Sequence, residues 1–189
     1  MINWLTNLDG NILLFTQDYI RNPILTPIFK VITTLGDGGM IWIFLTLLML
    51  CIPKTRKVGY MSAVALIGSL LINNIILKNL VARIRPYEVI EGLTCLVRKP
   101  RDYSFPSGHT TTSFAAAWVM FRRLPKRYGV SALVLAILIS LSRLYVGVHY
   151  PSDVLFGALD GIAISCGAEA IVERLGKRKK SHVNGNILE

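Results

Sequence analysis

Three short clusters in this 189-residue chain hold side chains that could do chemistry. In the first, Ser142-Arg143 is followed after five residues by His149, and after three more by Asp153, which collects a guanidinium, an imidazole and a carboxylate between two apolar runs. The second is Lys78 with Arg85-Pro86, and the third is Pro106-Ser107-Gly108-His109. Ionisable groups at the boundary of a membrane helix are expensive and mark function by default. Together the clusters read as a phosphate-handling site.

Each cluster has its own local logic. Lys78 and Arg85 are seven residues apart, two helical turns, so the spacing predicts that both project from one helix face, with Pro86 restricting Arg85 and ending the helix there. They either grip a phosphate or snorkel to lipid headgroups. Ser107 is expected to cap a helix that starts beside it, Gly108 to let backbone N–H groups approach an anion, and His109 to deliver a proton from the first turn. The plainer alternative is an ordinary cap with an interfacial histidine. Arg143 closes one helix with a fork suited to bidentate phosphate contact. Pro151 suits the first turn of the next helix, which sets His149 just before it and Asp153 in its first turns. A carboxylate that accepts the Nδ1–H of His149 leaves Nε2 as a nucleophile of fixed tautomer, although a purely structural His–Asp bond has the same spacing. His182, in the tail, reads as incidental.

The elements that must position these groups are membrane helices. Mean hydropathy is +0.50, with 52% apolar and 17% charged residues, which fits one bilayer-embedded domain rather than a soluble core. Apolar segments at about 39–52, 58–80, 107–121, 128–146 and 151–173 are expected to be embedded, and 81–106 to form one long polar connection. Residues 2–20 have roughly helical apolar spacing and predict an amphipathic helix at the membrane interface. The stretch Pro23–Leu35 is too short to span alone, and Gly36-Asp37-Gly38-Gly39 breaks the chain after it. The expected fold is all-α: a polytopic transmembrane bundle of five to six spans with an N-terminal interfacial helix. Residues 1–37 would form the N-terminal helices, 38–174 the embedded core, and 175–189 a basic, disordered cytoplasmic tail. Cys51 and Cys166 are expected to be small buried side chains. Cysteine spacing suggests neither a disulfide framework nor a metal site, and no cleavable signal peptide is expected.

Charge gives an orientation. The net charge of +10 is concentrated at Lys54/Arg56/Lys57, at Arg122/Arg123/Lys126/Arg127, and at Arg174 to Lys180. These groups interrupt hydrophobic spans and build no basic domain, which argues against nucleic acid as a partner. With the C-terminus in the cytoplasm, all three fall on the cytoplasmic side, as the positive-inside rule requires. The chemical clusters then converge on the extracytoplasmic face. Five spans put the N-terminus outside; a sixth, formed from the first 35 residues, would put it inside.

Taken jointly, Lys78-x6-Arg85-Pro86, Pro106-Ser107-Gly108-His109 and Ser142-Arg143-x5-His149-x3-Asp153 resemble the three signature motifs of the type 2 phosphatidic acid phosphatase superfamily, in the right order and with every motif position matched. The resemblance covers about residues 38–174. It implies that His149 attacks phosphorus and becomes a phosphohistidine, that Asp153 orients it, and that His109 protonates the leaving oxygen. It implies that Lys78, Arg85, Ser107, Gly108 and Arg143 hold the phosphate oxygens, with no metal ion or cofactor. The expected substrate is a lipid phosphate or diphosphate in the plasma membrane: phosphatidylglycerophosphate, phosphatidic acid, diacylglycerol pyrophosphate or undecaprenyl diphosphate. A vanadate-dependent haloperoxidase is disfavoured by the spans. The alternative of another class is a non-catalytic lipid-binding or transport protein that keeps the fold. Oligomeric state is not legible.

Overall fold

The computed structural model describes residues 2–185, and every regular element among them is helical. In chain order these are α1 (Ile2–Phe15), continued by a π-helical turn Thr16–Ile20; α2 (Leu25–Leu35); α3 (Met40–Cys51); α4 (Arg56–Ser69), continued by a π-helical segment Leu70–Leu77 and by α5 (Lys78–Val81); α6 (Pro86–Val89); α7 (Gly108–Arg123); α8 (Lys126–Tyr145); and α9 (Pro151–Gly185). Three helical stretches among the described residues are long and apolar enough to cross a membrane: Arg56–Val89, Lys126–Tyr145 and Pro151–Arg178. α2 and α3 together make a fourth, bent by 47° where they meet. Gly38 and Gly39, at φ +57° and +71°, supply the left-handed backbone of that bend.

α7 is the axis of the bundle. It is enclosed by α4, α8 and α9, and its Ala115, Ala116, Ala117 and Val119 are fully buried. Small residues on its neighbours allow the close approach: a Cβ on Gly161 of α9 would lie 2.5 Å from the Thr111 carbonyl oxygen, and one on Gly129 of α8 2.7 Å from the Phe121 Cα. Several polar groups inside the bundle pair with each other across helices. Trp42 Nε1 donates to Ser113 Oγ (2.8 Å), Asn73 Nδ2 to Thr111 Oγ1 (2.5 Å), and the hydroxyls of Ser69 and Thr112 share a hydrogen bond (2.9 Å). These bonds fix the register of α7 against α3 and α4, and so the position of its first turn. Ile43, Phe44 and Leu47 of α3, Ile67 of α4, and Leu155 and Leu159 of α9 face outward.

Several expectations change. Cys51 and Cys166 are exposed, because they sit on outward faces of apolar helices. The second long helix ends at Val81, not at Arg85: Ala82 adopts φ +49° and breaks it, Arg85 is extended, and Pro86 opens the short α6. Lys78 and Arg85 therefore do not share a helix face. Residues 81–106 are interrupted by α6. α9 passes the expected boundary at 174 and runs to Gly185; Asn186–Glu189 of the expected tail lie outside the described residues.

The two ends of the bundle differ in character. Lys57 and Lys177 line one groove, and Arg123 pairs with Glu169 and Glu173, so the basic turns and the end of the last apolar stretch share one end. The C-terminus of α5, the N-termini of α7 and α9 and the C-terminus of α8 meet at the other. α1 and the π-helical turn after it pack there too, burying Asp9, Gly10, Leu13 and Thr16 while Trp4, Leu8 and Phe15 stay exposed.

Candidate active site

His149 lies in the connection from α8 to α9 and is almost completely buried. Its Nε2 is 3.4 Å from an Arg85 guanidinium nitrogen, and its Nδ1 is 3.5 Å from Asp153 Oδ2. That second distance is long for a hydrogen bond, the looseness often seen in catalytic pairs before substrate arrives. Asp153 itself is held firmly. Its Oδ2 accepts from Ser104 Oγ (2.5 Å) and from the Tyr150 N–H (3.0 Å), and its Oδ1 from Arg83 (2.7 Å). The Asp153 carbonyl accepts from the Ser107 N–H at 3.2 Å, which ties the start of α7 to the start of α9. Burial pushes the His149 imidazole down to about 3, against the upward pull of Asp153, with the charges of Arg85 and Arg143 adding to the depression. His149 is therefore neutral at physiological pH.

The cations converge through the fold rather than along one helix. Arg85 donates to the Val148 carbonyl (2.8 Å), to the Asp102 carbonyl from Nε (2.8 Å), and to Asp102 Oδ1 (2.7 Å). Lys78, also buried, ion-pairs with the other oxygen of the same carboxylate. Burial pushes the Asp102 carboxyl up, but Lys78 and Arg85 outweigh it and hold the group at about 2. Arg143 donates to Thr33 Oγ1 (2.5 Å), while its Nε is buried without a hydrogen-bond partner. A buried guanidinium nitrogen with no acceptor is costly unless an anion completes it.

Ser107 stands at the N-cap of α7, but its hydroxyl accepts from Thr110 Oγ1 (3.0 Å) and makes no side-chain cap to the helix backbone. Gly108 starts the helix where a Cβ would come within 2.9 Å of Asn74 Oδ1 and 3.6 Å of Lys78 Nζ, so the backbone itself faces the lysine. His109 Nε2 is 2.9 Å from Asp37 Oδ1, in the bend between α2 and α3.

A cavity of about 530 Å³ opens on this cluster. Lys78, Asp102, Gly108 and His109 line its polar end; Ile43, Leu47 and Leu50 of α3 and Leu66, Ile67 and Leu70 from the α4 stretch form its apolar walls. Arg85 and His149 do not line it, and Asp102, bonded to both Lys78 and Arg85, links the open part to the buried part. Fixed cations and a helix N-terminus favour a tetrahedral oxyanion, and the apolar walls favour an alkyl chain joined to it. All eight residues singled out in the sequence come to this end of the bundle.

Other residues join them without having been singled out. Arg83, two positions before Arg85, bridges Asp153 and Asp9 (2.7 and 2.8 Å). Asp9 also accepts from the Ser152 N–H (3.0 Å), at the N-terminus of α9. Thr33, Asp37, Ser104 and Asp102 complete the set. Asp37 left one usable trace: it is the one carboxylate between Asp18 and Glu88.

Comparison with known proteins gives the chain a family. The model of the PAP2 superfamily matches residues 58–177. An undecaprenyl-diphosphatase of Sulfolobus acidocaldarius is 35% identical over 125 residues, covering 66% of this chain and 60% of that protein. The chain thus matches about three fifths of that relative's length. A lipid A 4'-phosphatase of Bacteroides thetaiotaomicron is 31% identical over 174 residues, covering 85% of this chain and 75% of that one. The crystal structure of a transmembrane PAP2-type phosphatidylglycerolphosphate phosphatase from Bacillus subtilis superposes with a TM-score of 0.74 at 27% identity, covering 91% of this chain and 88% of that one. The family match takes in the lysine, the Arg-Pro, the Ser-Gly-His turn and the Arg–His–Asp string alike, and the chain belongs to the PAP2 superfamily.

Proposed function

We propose that this protein is a membrane phosphatase that hydrolyses a lipid phosphate or diphosphate through a phosphohistidine on His149. The observation that carries the reading is the single cavity that joins Lys78, Gly108 and His109 to apolar walls on α3 and α4. A headgroup phosphate enters the polar end while its chain stays among Leu47, Leu50 and Leu66. Lys78, Arg85 and Arg143, with the Ser107 hydroxyl and the Gly108 N–H, neutralise the equatorial oxygens. Neutral His149 attacks phosphorus with Nε2 as the bond to the leaving oxygen breaks, and the imidazolium is stabilised by Asp153. His109, protonated beside Asp37 once the phosphate brings its negative charge into the site, gives that proton to the leaving oxygen. It then takes a proton from the water that hydrolyses the phosphohistidine. The site's charge is supplied by guanidinium and ammonium groups, a setting that repels divalent cations, and the reaction is assigned as metal-independent.

The basic turns at one end and the site at the other support a membrane orientation with the C-terminus cytoplasmic and the active site extracytoplasmic. In this reading α7, shielded by its neighbours, counts as a span despite its polarity. The bent α2–α3 pair, α4–α5, α7, α8 and α9 then make five. α1, with its exposed Trp4, Leu8 and Phe15, lies in the interface. An external site suits recycling of a polyprenyl carrier, and undecaprenyl diphosphate heads the candidates, with phosphatidylglycerophosphate, phosphatidic acid and diacylglycerol pyrophosphate beside it.

The test is phosphate release by the detergent-solubilised protein from these lipids side by side. Wild type should release phosphate from at least one, and His149→Ala from none. Equal release by both proteins, or none by wild type from any lipid, would reject the phosphatase reading in favour of a non-catalytic lipid-binding protein.

A further inference from the structure

Two of the site's cations, Lys78 on the cavity and Arg85 behind it, are already occupied. Lys78 and Arg85 are both buried, yet both spend their charge on Asp102, whose side chain is about half exposed (52%). One carboxylate oxygen takes each cation, which is the bidentate arrangement two phosphate oxygens would take. The Asp102 backbone is anchored separately, by the 2.8 Å bond from Arg85 Nε to its carbonyl. The carboxylate can therefore leave by rotation of its own side chain while the loop stays in place.

Position adds to chemistry. Asp102 lines the open cavity with Lys78, whereas Arg85 lies behind it against His149 Nε2. A phosphorus atom in line with Nε2 needs its oxygens on the same guanidinium and ammonium groups. Both anions cannot hold those donors at once, and like charges at that separation repel strongly in a partly buried site.

We propose that Asp102 is a built-in competitor for the phosphate subsite: its carboxylate holds Lys78 and Arg85 before substrate binds, swings aside when a phosphate enters, and returns to help expel inorganic phosphate. This rests on the phosphatase reading and adds to it the residue that sets how tightly the site holds free phosphate. The device keeps two buried cations paired when the site is empty. It also weakens binding of anions that bring no lipid chain to offset displacement of the carboxylate. Selectivity for lipid phosphates over free phosphate follows.

The test compares wild type with Asp102→Asn and Asp102→Ala, using inorganic phosphate and vanadate as probes. The asparagine keeps size and an acceptor oxygen, so the loop has the means to stay folded, and thermal unfolding in detergent checks that it does. Both probes should inhibit Asp102→Asn at concentrations about tenfold lower or more, the scale of one charge-assisted contact. KM for the lipid should fall, and kcat should fall with it as phosphate release slows. Unchanged or weaker inhibition in both variants would overturn the proposal. So would an experimental structure with bound vanadate in which Asp102 still contacts both Lys78 and Arg85, because a carboxylate that merely repels anions from a fixed position would look like that. Wild type inactive on every lipid is a different failure, that of the phosphatase reading itself.

Discussion

Arg83 holds Asp153 from the side opposite His149: one guanidinium nitrogen donates to Asp153 Oδ1 at 2.7 Å, while the other reaches Asp9 Oδ2 at 2.8 Å. The carboxylate that faces His149 is thus fixed by a residue at one of the unspecified positions between Lys78 and Arg85. Arg83→Ala should lower kcat by about 10–100-fold with little change in KM, because Asp153 loses its orientation while the phosphate donors stay. Arg83→Lys should recover part of the loss. A KM effect as large as the kcat effect would mean that Arg83 binds substrate instead.

The depressed imidazole makes a prediction about pH. His149 is pushed down to about 3 in the folded protein, against 6.5 unperturbed, so the unfolded chain binds a proton between those values and the folded one does not. Stability is full above about pH 6.5 and falls as pH drops toward 3. His149→Asn should flatten the acid side of the stability profile measured by thermal unfolding in detergent. In the free enzyme, kcat/KM should show no acid limb from His149 between pH 8 and 5. A His149-dependent limb near 6.5 would show that the nucleophile is not desolvated.

The apolar walls predict chain-length selectivity. Leu47→Trp, on the outward part of α3 that borders the cavity, should raise KM for a long-chain lipid phosphate about tenfold. Hydrolysis of a short, water-soluble phosphate ester should be nearly unaffected. Equal losses on both substrates would place the alkyl chain elsewhere.

Orientation can be read in intact cells. In a cysteine-free background, a cysteine at exposed Arg101 should react with a membrane-impermeant thiol reagent before lysis. One at exposed Lys54 should react only after it. The reverse pattern would invert the proposed sidedness.

Packing around α7 gives a stability prediction. Gly161→Leu puts side-chain atoms where even a Cβ lies 2.5 Å from the Thr111 carbonyl oxygen and 2.9 Å from the Ala115 nitrogen. Backbone on a central helix cannot yield cheaply, and the substitution should cost about 1–3 kcal/mol. Unfolding midpoints compared with Gly167→Leu, where an added Cβ meets nothing within 4 Å, isolate the effect.

The sequence was most legible where one residue type has few uses. Lys78, Arg85, Arg143, His109, His149 and Asp153 stand out because charge and imidazole are scarce between apolar runs. Helix ends were harder. Lys78 and Arg85 looked like two turns of one helix, and nothing in Val81-Ala82 announces that Ala82 takes a left-handed conformation. Outward and inward faces were also ambiguous, since lipid and core are equally apolar; Cys51 and Cys166 illustrate it. Asp9, Thr33 and Asp102 were invisible as site residues, and Asp37 left only its isolation as a carboxylate, because each meets its partner across the fold, 72 residues away for Asp37 and His109 and 110 for Thr33 and Arg143. Local spacing carries no record of such pairs.

Those long separations have a consequence for biogenesis. Asp9 leaves the ribosome early, yet it bonds the Ser152 N–H at the start of α9, 143 residues later. Thr33 and Asp37 likewise wait for Arg143 and His109. A nascent chain inserted only as far as α7 has the Ser107–His109 turn but neither His149 nor the closing contacts to the first helices. In the proposed phosphatase reading the site is completed only when the last helix enters the bilayer, so a chain stalled before it lacks both His149 and Asp153.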